Sequence, residues 1–186
     1  MGKDDRMNGK KCILLGVTGG IAAYKSADLC SKLAARDYDV HVIMTDAARK
    51  LVSELVFLTL SRNPVLCDLF SVPEWKPGHI ALAERADLLV VAPATANFIG
   101  KYANGIADDA LTTTALAFPG KVLIAPAMNT AMWKHPAVQR NCETLRSRGV
   151  DFIGPETGRL ACGVSGEGRM AEVPAILEKI QSLSAK

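Results

Sequence analysis

The segment from Lys121 to Trp133, KVLIAPAMNTAMW, places chemically useful side chains directly after a short apolar run. The run KVLIA has the composition of a buried strand, and Pro126 ends it. Beyond it stand an amide, Asn129, two thioethers and an indole, Trp133. An amide donates hydrogen bonds to a carboxylate, and soft or flat apolar side chains accommodate a ring. Core packing of the methionines and the tryptophan is the alternative that the residue types leave open.

A glycine-containing turn follows the first predicted strand and is typical of an anion-binding helix start. In GVTGGIAAYK, Gly16, Gly19 and Gly20 precede a helical pattern, and backbone N–H groups and the helix dipole favour a phosphate at such a point. The spacing differs from G-x-G-x-x-G, so it gives little support to a dinucleotide site. Tight packing explains these glycines equally well.

Two more segments after predicted strands carry small and hydroxyl side chains. Thr45 follows the second strand at a helix start, where a hydroxyl suits a phosphate but is also a common N-cap. The segment PATANF, residues 93–98, follows the fourth strand, and its small residues let a ring or phosphate approach the backbone. The carboxyl ends of parallel strands meet at one sheet edge, so these segments together predict a site for a phosphorylated planar cofactor.

The hydrophobic pattern alternates between strands and helices along the chain. Strands are predicted at 12–17, 40–44, 65–69, 88–92, 121–125 and 150–153. Helices are predicted at about 21–34, 46–62, 80–85, 95 onward, 108–117, 136–148 and from 173, with irregular segments at 71–78 and 154–170. This alternation predicts an α/β fold, a single-domain doubly wound parallel sheet of Rossmann-like type. We expect a disordered tail at 1–10 and one domain at 11–186.

Composition limits the classes of partner. The chain has 186 residues, of which 49% are hydrophobic, enough for a sizeable core without disulfides or a structural metal. Its 22 basic and 19 acidic residues are interspersed and leave a net charge of +3, so neither nucleic acid nor a membrane surface is indicated as a partner.

Five scattered cysteines form no CxxC pair, which argues for buried thiols in a reducing compartment rather than disulfides or a zinc site. The polar start MGKDDRMNGKK has the pattern of neither a signal peptide nor an anchor, and no apolar run approaches the ~18 residues of a membrane span. We therefore expect a cytoplasmic protein with no bound metal. His79 alone is typical of an exposed helix cap, and His41 and His135 are expected to be structural.

Three of these segments resemble motifs of the homo-oligomeric flavin-containing cysteine decarboxylases, and of their phosphopantothenoylcysteine decarboxylase group in particular. PATANF resembles the PASANT flavin motif of that family, and PAMNTAMW at 126–133 fits its PxMNxxMW substrate motif. GRLACG at 158–163 fits its cysteine-bearing substrate flap, which we expect at about 154–170. The resemblance extends from about Lys11 to Pro174.

The resemblance implies a set of site residues. It implies FMN as the cofactor, with contacts at Gly19, Gly20, Ile21, Thr45, Thr95, Ala96, Asn97, Phe98 and Ala127. It implies the catalytic residues His79, Asn129 and Cys162, and the substrate-binding residues Asn129, Met132, Arg159, Leu160 and Ala161.

The implied reaction is decarboxylation of 4′-phosphopantothenoylcysteine to 4′-phosphopantetheine in coenzyme A biosynthesis. A cysteine carboxylate has no neighbouring electron sink, so the thiol-bearing carbon must first be oxidised to a thioaldehyde, with FMN accepting the hydride. Loss of carbon dioxide then gives an enethiol, which is reduced to product. In this scheme Asn129 binds the carboxylate, His79 serves as base or orients the substrate, and Cys162 supplies the final proton.

The sequence departs from the family motifs at two positions, and it leaves alternatives open. Phe98 stands in place of a Thr, and Val164 follows ACG in place of an Asp. A peptidyl-cysteine decarboxylase of lantibiotic type would stop at the enethiol and have no use for Cys162. A non-catalytic regulatory relative is a second alternative. The family also implies trimers, sometimes assembled into dodecamers, and a separate phosphopantothenoylcysteine synthetase in the pathway.

Overall fold

A parallel six-stranded sheet forms the centre of the protein. The computed structural model describes residues 9–70, 78–161, 163 and 165–184. The strands of the sheet are β1 (Cys12–Val17), β2 (Asp39–Met44), β3 (Val65–Leu66), β4 (Leu88–Ala94), β5 (Lys121–Pro126) and β6 (Asp151–Phe152). Their order is β3-β2-β1-β4-β5-β6, and every neighbouring pair is parallel. The predicted doubly wound fold is therefore confirmed.

Helices cover both faces of this sheet. They are α1 (Ala23–Ala35), α2 (Asp46–Arg49), α3 (Glu54–Ser61), α4 (Gly78–Arg85), α5 (Ala96–Ala103), α6 (Ala110–Ala117), α7 (Thr130–Trp133), α8 (Pro136–Ser147) and α9 (Val173–Ser184). Among the described residues, no helix combines the length and hydropathy needed to cross a membrane.

Alternate residues of the central strands feed two separate cores, because successive strand side chains point to opposite faces. Ile13 and Leu15 of β1 pack with α1, α3 and α9, whereas Leu14 packs with α4, α5, α6 and α8. Each strand of the centre is buried on both faces. This explains why these strands have continuous apolar sequences.

The segment predicted as one helix at 46–62 forms two helices, so that prediction was wrong. Lys50 ends α2, and Ser53 starts α3 as an N-cap whose hydroxyl accepts a hydrogen bond from the Leu55 N–H at 3.2 Å. The leucines of the predicted apolar face remain exposed, Leu55 at 66% and Leu58 at 45%, while Phe57 is the buried side chain.

The glycine-rich segment predicted as irregular contains an antiparallel hairpin. Its strands are β7 (Glu156–Arg159) and β8 (Ser165–Arg169). The alternation of charged and small residues in this segment gave no apolar period, so the hairpin could not be predicted from hydrophobicity. The predicted loop at 71–78 lies outside the described residues except for Gly78, which begins α4, and most of the predicted tail at 1–10 lies outside them as well.

Candidate functional site

A cleft of about 1220 Å³ lies at the carboxyl edge of the sheet. The segments that follow β1, β2, β4 and β5 line it, together with part of the hairpin. The strand order reverses between β1 and β4, and ligands of doubly wound sheets bind at such a switch point. The four strand exits selected from the sequence therefore meet in one place.

The backbone of the turn between β1 and α1 packs closely against neighbouring residues. A Cβ atom at Gly19 would lie 2.3 Å from the Ala47 Cβ, so only glycine fits there. Gly20 borders the cleft across from Thr95 and the Ala127 carbonyl. Among the described residues no side chain caps the first turn of α1, which leaves the positive end of its dipole to favour an anion.

Gly16 has a different role from the two glycines of the turn. A Cβ atom there would lie 2.5 Å from the Leu111 Cδ1 and 3.3 Å from a Val91 methyl group. Tight packing between the sheet and α6 therefore explains Gly16, as the alternative interpretation of the glycines held.

Thr18 connects the exits of β1 and β4, and sequence reasoning missed it. Its buried hydroxyl donates to the Pro93 carbonyl at 2.7 Å and accepts from the Thr95 N–H at 3.1 Å. Thr95 in turn caps α5 by accepting from the Phe98 N–H at 3.4 Å. A polar residue directly after a continuous apolar strand was the available signal, since a buried hydroxyl requires partners.

Phe98 explains one departure from the family motif. Its side chain is buried among the residues of the second core and stacks on Tyr102, with ring centroids 5.7 Å apart. The bulky ring therefore adds to the core beneath α5. Val164, the other departure, lies outside the described residues, as does Cys162.

Asn129 lies in the cleft and begins the short helix α7. Its Oδ1 atom accepts a hydrogen bond from the Ala131 N–H at 2.8 Å, so the amide plane is held by the helix cap. The part of this side chain that can donate to a ligand is then the Nδ2 group. Helix capping and ligand binding are thus compatible roles for Asn129.

The two large apolar residues after Asn129, Met132 and Trp133, lie in different environments. Met132 lines the cleft and is 48% exposed. Trp133 is 6% exposed and packs in the core that contains α5, α6 and α8. For Trp133 the core-packing alternative therefore applies, because its position in α7 turns the indole towards the core and it is not among the described residues that line the cleft.

The hairpin contributes the predicted substrate-binding residues. Arg159, Leu160 and Ala161 line the same cleft as the strand exits. The Gly163 N–H donates to the Leu160 carbonyl at 2.9 Å and closes a tight turn at the hairpin tip. The tip segment and the PAMNTAMW segment therefore border one volume.

Charged residues that the sequence analysis missed also line the cleft. Lys25 pairs with Glu172, Nζ to Oε2 at 3.0 Å, and this hydrogen bond lowers the pKa of Glu172. Lys101 pairs with Asp108 at 2.8 Å, and this contact raises the pKa of Lys101 and lowers that of Asp108. Lys101 lies one helical turn after Asn97, so the i, i+4 spacing could have identified it.

His79 is not among the described residues that line the cleft. It lies in the first turn of α4 and is half-buried. Its Nδ1 atom is buried without a hydrogen-bond partner among the described residues. The structure of one chain therefore does not bring His79 together with Asn129.

The other histidines have structural partners, as expected. His41 lies near the amino end of β2, 3.2 Å from the Asp39 carboxylate, and its burial lowers its pKa. The Nδ1 atom of His135 caps α8 by accepting from the Ala137 N–H at 3.2 Å.

None of the four described cysteines forms a disulfide. Cys12, Cys30 and Cys142 are buried, whereas Cys67 is only partly buried. Burial raises the pKa of Cys30 and of Cys67 to about 11. These side chains behave as small hydrophobic groups, and none of the four lines the cleft.

The cleft fits a ligand with a phosphate and a flat ring. Thr45 and Thr95 start helices at its border, and the turn at 18–22 presents backbone beside them. Ile21, at 62% exposure, and Met132 are apolar side chains left uncovered inside the cleft. A ring placed against them would remove that apolar surface from water.

Comparison with known proteins agrees with this chemistry. The Flavoprotein family model matches residues 1–184. The coenzyme A biosynthesis bifunctional protein CoaBC of Bacillus subtilis (strain 168) is 53% identical over 169 residues, covering 89% of this chain and 41% of that protein. The probable phosphopantothenoylcysteine decarboxylase of Streptococcus mutans is 43% identical over 174 residues, covering 92% of this chain and 97% of that protein. The chain thus spans well under half the length of the bifunctional relatives and nearly all of the monofunctional one.

Two solved structures share the fold. A cysteine-to-serine mutant of PPC decarboxylase, complexed with pantothenoylaminoethenethiol, has a TM-score of 0.85 at 31% identity, covering 95% of this chain and 100% of that one. The FMN-dependent cysteine decarboxylase SpaF has a TM-score of 0.83 at 32% identity, covering 95% and 98%. The predicted resemblance is confirmed, and the chain belongs to the flavoprotein family that includes the phosphopantothenoylcysteine decarboxylases.

Proposed function

We propose that this protein is an FMN-dependent carboxy-lyase that converts 4′-phosphopantothenoylcysteine to 4′-phosphopantetheine in coenzyme A biosynthesis. One observation carries the proposal. A single cleft at the switch point of the sheet is lined both by the residues expected to hold a flavin and by the residues expected to bind the cysteine end of the substrate. The similarity to a monofunctional decarboxylase over nearly its whole length supports the same activity.

The proposed cofactor site uses backbone and small side chains. Its residues are Gly19, Gly20, Ile21, Thr45, Thr95, Ala96, Asn97, Phe98 and Ala127, and all of them line the cleft. When bound, FMN supplies a two-electron acceptor for the carbon that carries the thiol. Thr45 and Thr95, at helix starts, suit its phosphate, while Ile21 would offer its ring an exposed apolar side chain.

Asn129 is proposed to orient the substrate carboxylate. Its Oδ1 atom is engaged in the α7 cap, so the Nδ2 group meets the carboxylate in a fixed direction. A neutral donor orients a departing carboxylate but does not hold it in place. An arginine would hold it through its charge. Met132 and the segment 159–161 are proposed to enclose the rest of the substrate.

Cys162 is proposed to give the proton that completes the reduction of the enethiol. It follows Ala161, whose position borders the cleft, on the proposed flap at 154–170. The structurally similar PPC decarboxylase supports this role, because its mutant with serine in place of a cysteine is complexed with an ethenethiol. An ethenethiol is the compound expected to remain when the last step fails.

His79 is proposed to act in the cleft of a neighbouring copy of the chain, as a base or an orienting group. Two observations support this. Its Nδ1 atom has no partner among the described residues. The chain also exposes leucines on α3 and before it, Leu51 at 46% and Leu55 at 66%, which favours burial against another subunit. We propose a homo-oligomer, a trimer or a dodecamer built from trimers.

The substrate is proposed to come from a phosphopantothenoylcysteine synthetase, since the matched relatives include bifunctional proteins of coenzyme A biosynthesis. Four described cysteines without a disulfide fit a cytoplasmic location, where thiols stay reduced.

A substrate comparison tests the proposal. The purified protein is reconstituted with FMN, and flavin binding is measured from the visible spectrum. The holoenzyme is then incubated with 4′-phosphopantothenoylcysteine and, separately, with a peptide that ends in cysteine. We expect carbon dioxide from the first substrate only. Failure to bind FMN would overturn the proposal, and turnover of the peptide alone would favour a peptidyl-cysteine decarboxylase.

A further inference from the structure

Strand β8 lies directly against the backbone of the PAMNTAMW segment. The Gly168 carbonyl accepts a hydrogen bond from the Met128 N–H at 2.9 Å. A Cβ atom at Gly168 would lie 2.2 Å from the Met128 carbonyl oxygen. This contact is between two main chains, so no side-chain rearrangement can make room for a larger residue.

A bulge in the hairpin makes the contact at Gly168 possible. The pair Glu156↔Arg169 is followed by Thr157↔Glu167, so Gly168 is the extra residue of β8. Its φ of +143° is a conformation that favours glycine. The bulge releases this residue from the β7–β8 ladder, and its carbonyl is therefore available to the strand exit of β5.

A second glycine of β8 rests on the first residue of α7. A Cβ atom at Gly166 would lie 2.3 Å from the Thr130 Oγ1 and 3.2 Å from its Cβ. The Thr130 Oγ1 is buried and has no hydrogen-bond partner among the described residues. Thr130 directly follows Asn129, so the hairpin packs against the residue next to the proposed carboxylate donor.

The pairing of β7 with β8 connects the Gly166 contact to the side of the hairpin that faces the substrate. Gly158 is paired with Gly166, and the next pair is Arg159 with Ser165. Arg159 lines the cleft together with the hairpin tip. Any shift of β8 away from α7 therefore moves Arg159 by a similar amount.

We propose that Gly166 and Gly168 are positioning residues that seat the hairpin on Met128 and Thr130, and so set the distance between the hairpin tip and Asn129. The proposal rests on the proposed function for the role of the hairpin tip. The contacts of Gly166 with Thr130 and of Gly168 with Met128, which we call the seat, are a property of the chain itself and need no ligand. A shift of about 1 Å at a reacting group can cost about 100-fold in rate. The bare Cα atoms of these glycines are thus a functional requirement of the site.

Steric rescue tests the proposal. Gly166→Ala is expected to lower kcat by at least about 10-fold. Thr130→Ala removes the obstructing Oγ1, leaves the Thr130 Cβ at 3.2 Å, and alone should change kcat by less than about 2-fold. The double variant is expected to recover to within about 3-fold of the parent. Thr130→Ala should not rescue Gly168→Ala, whose obstruction is the Met128 main chain. Ser165→Ala, an exposed change on the same strand, serves as the matched control.

Hydrogen exchange supplies a readout that does not depend on activity. In the protein without substrate, Gly166→Ala should speed exchange of the Met128 N–H, and the double variant should restore its protection. Faster exchange across the whole sheet would mean general destabilisation and would overturn the proposal, as would a double variant no better than Gly166→Ala in exchange. If the parent protein releases no carbon dioxide while the exchange pattern holds, the proposed function fails and the seat stands.

Discussion

Replacing Asn129 by aspartate separates the two roles assigned to this side chain. The Oδ1 atom caps α7 through the Ala131 N–H at 2.8 Å, and aspartate caps helices about as well as asparagine. The substitution therefore keeps the local fold. It also replaces the proposed Nδ2 donor by a second carboxylate oxygen, next to the position proposed for the substrate carboxylate.

The cost of that change can be worked out from this geometry. Two carboxylates about 4 Å apart repel by about 1 kcal/mol in bulk water and about 4 kcal/mol at an effective dielectric constant of 20. Loss of a hydrogen bond to a charged acceptor adds about 1.5 to 3 kcal/mol. The sum is at least about 2.5 kcal/mol, so kcat/KM should fall by roughly 70-fold or more.

The assay combines turnover with two checks on the fold. Carbon dioxide release gives kcat/KM, the visible spectrum gives FMN binding, and thermal unfolding gives stability. Asn104→Asp adds the same charge at an exposed position outside the cleft and should leave activity near the parent value. Activity of Asn129→Asp within about 3-fold of the parent would refute the carboxylate role, because the total cost would then be below about 0.7 kcal/mol instead of the expected ~2.5 kcal/mol or more.

Three further predictions concern His79, Cys162 and His41. His79→Asn should slow carbon dioxide release without loss of FMN binding. Unchanged turnover would show that His79 has only a structural role at the start of α4. Cys162→Ser should release carbon dioxide but yield the enethiol, identified by mass, whereas a normal yield of saturated product would remove its proton-donor role. Burial lowers the pKa of His41 below its ordinary value of 6.5, so its neutral form contributes stability that is complete above that value and is lost as the pH falls through it. Urea unfolding should therefore show a steeper loss of stability from pH 7 to pH 5 in the parent than in His41→Gln, and parallel curves would contradict this.

The sheet was predictable because its central strands, such as β1 and β4, are buried on both faces and are therefore continuously apolar. β1 has the predicted bounds, Cys12–Val17, and β5 extends the prediction by one residue, to Pro126. The short helix α7 and the hairpin were not predictable. They are held by hydrogen bonds and main-chain contacts, such as that between Met128 and Gly168, which leave no hydrophobic period.

The candidate site was predictable to the extent that each segment follows a strand. Topology alone brings Thr45, Thr95 and Asn129 to one edge. The pairing of Lys25 with Glu172 joins residues distant in sequence, so no local pattern could have predicted it. The buried hydroxyl of Thr18 left one local signal, its position directly after an apolar strand, but its partners were not predictable from that position. The position of His79 relative to a cleft depends on a neighbouring chain in our proposal, which lies beyond what one sequence pattern specifies.

The mass of the product made by the FMN-loaded protein from 4′-phosphopantothenoylcysteine tests the central claim most directly. A complete reaction is redox-neutral, so the product should be lighter than the substrate by carbon dioxide alone, with the flavin oxidised at the end of each turnover. A product lighter by carbon dioxide and two hydrogens, formed with one reduced flavin per turnover, would contradict the account and indicate an enzyme that stops at the enethiol.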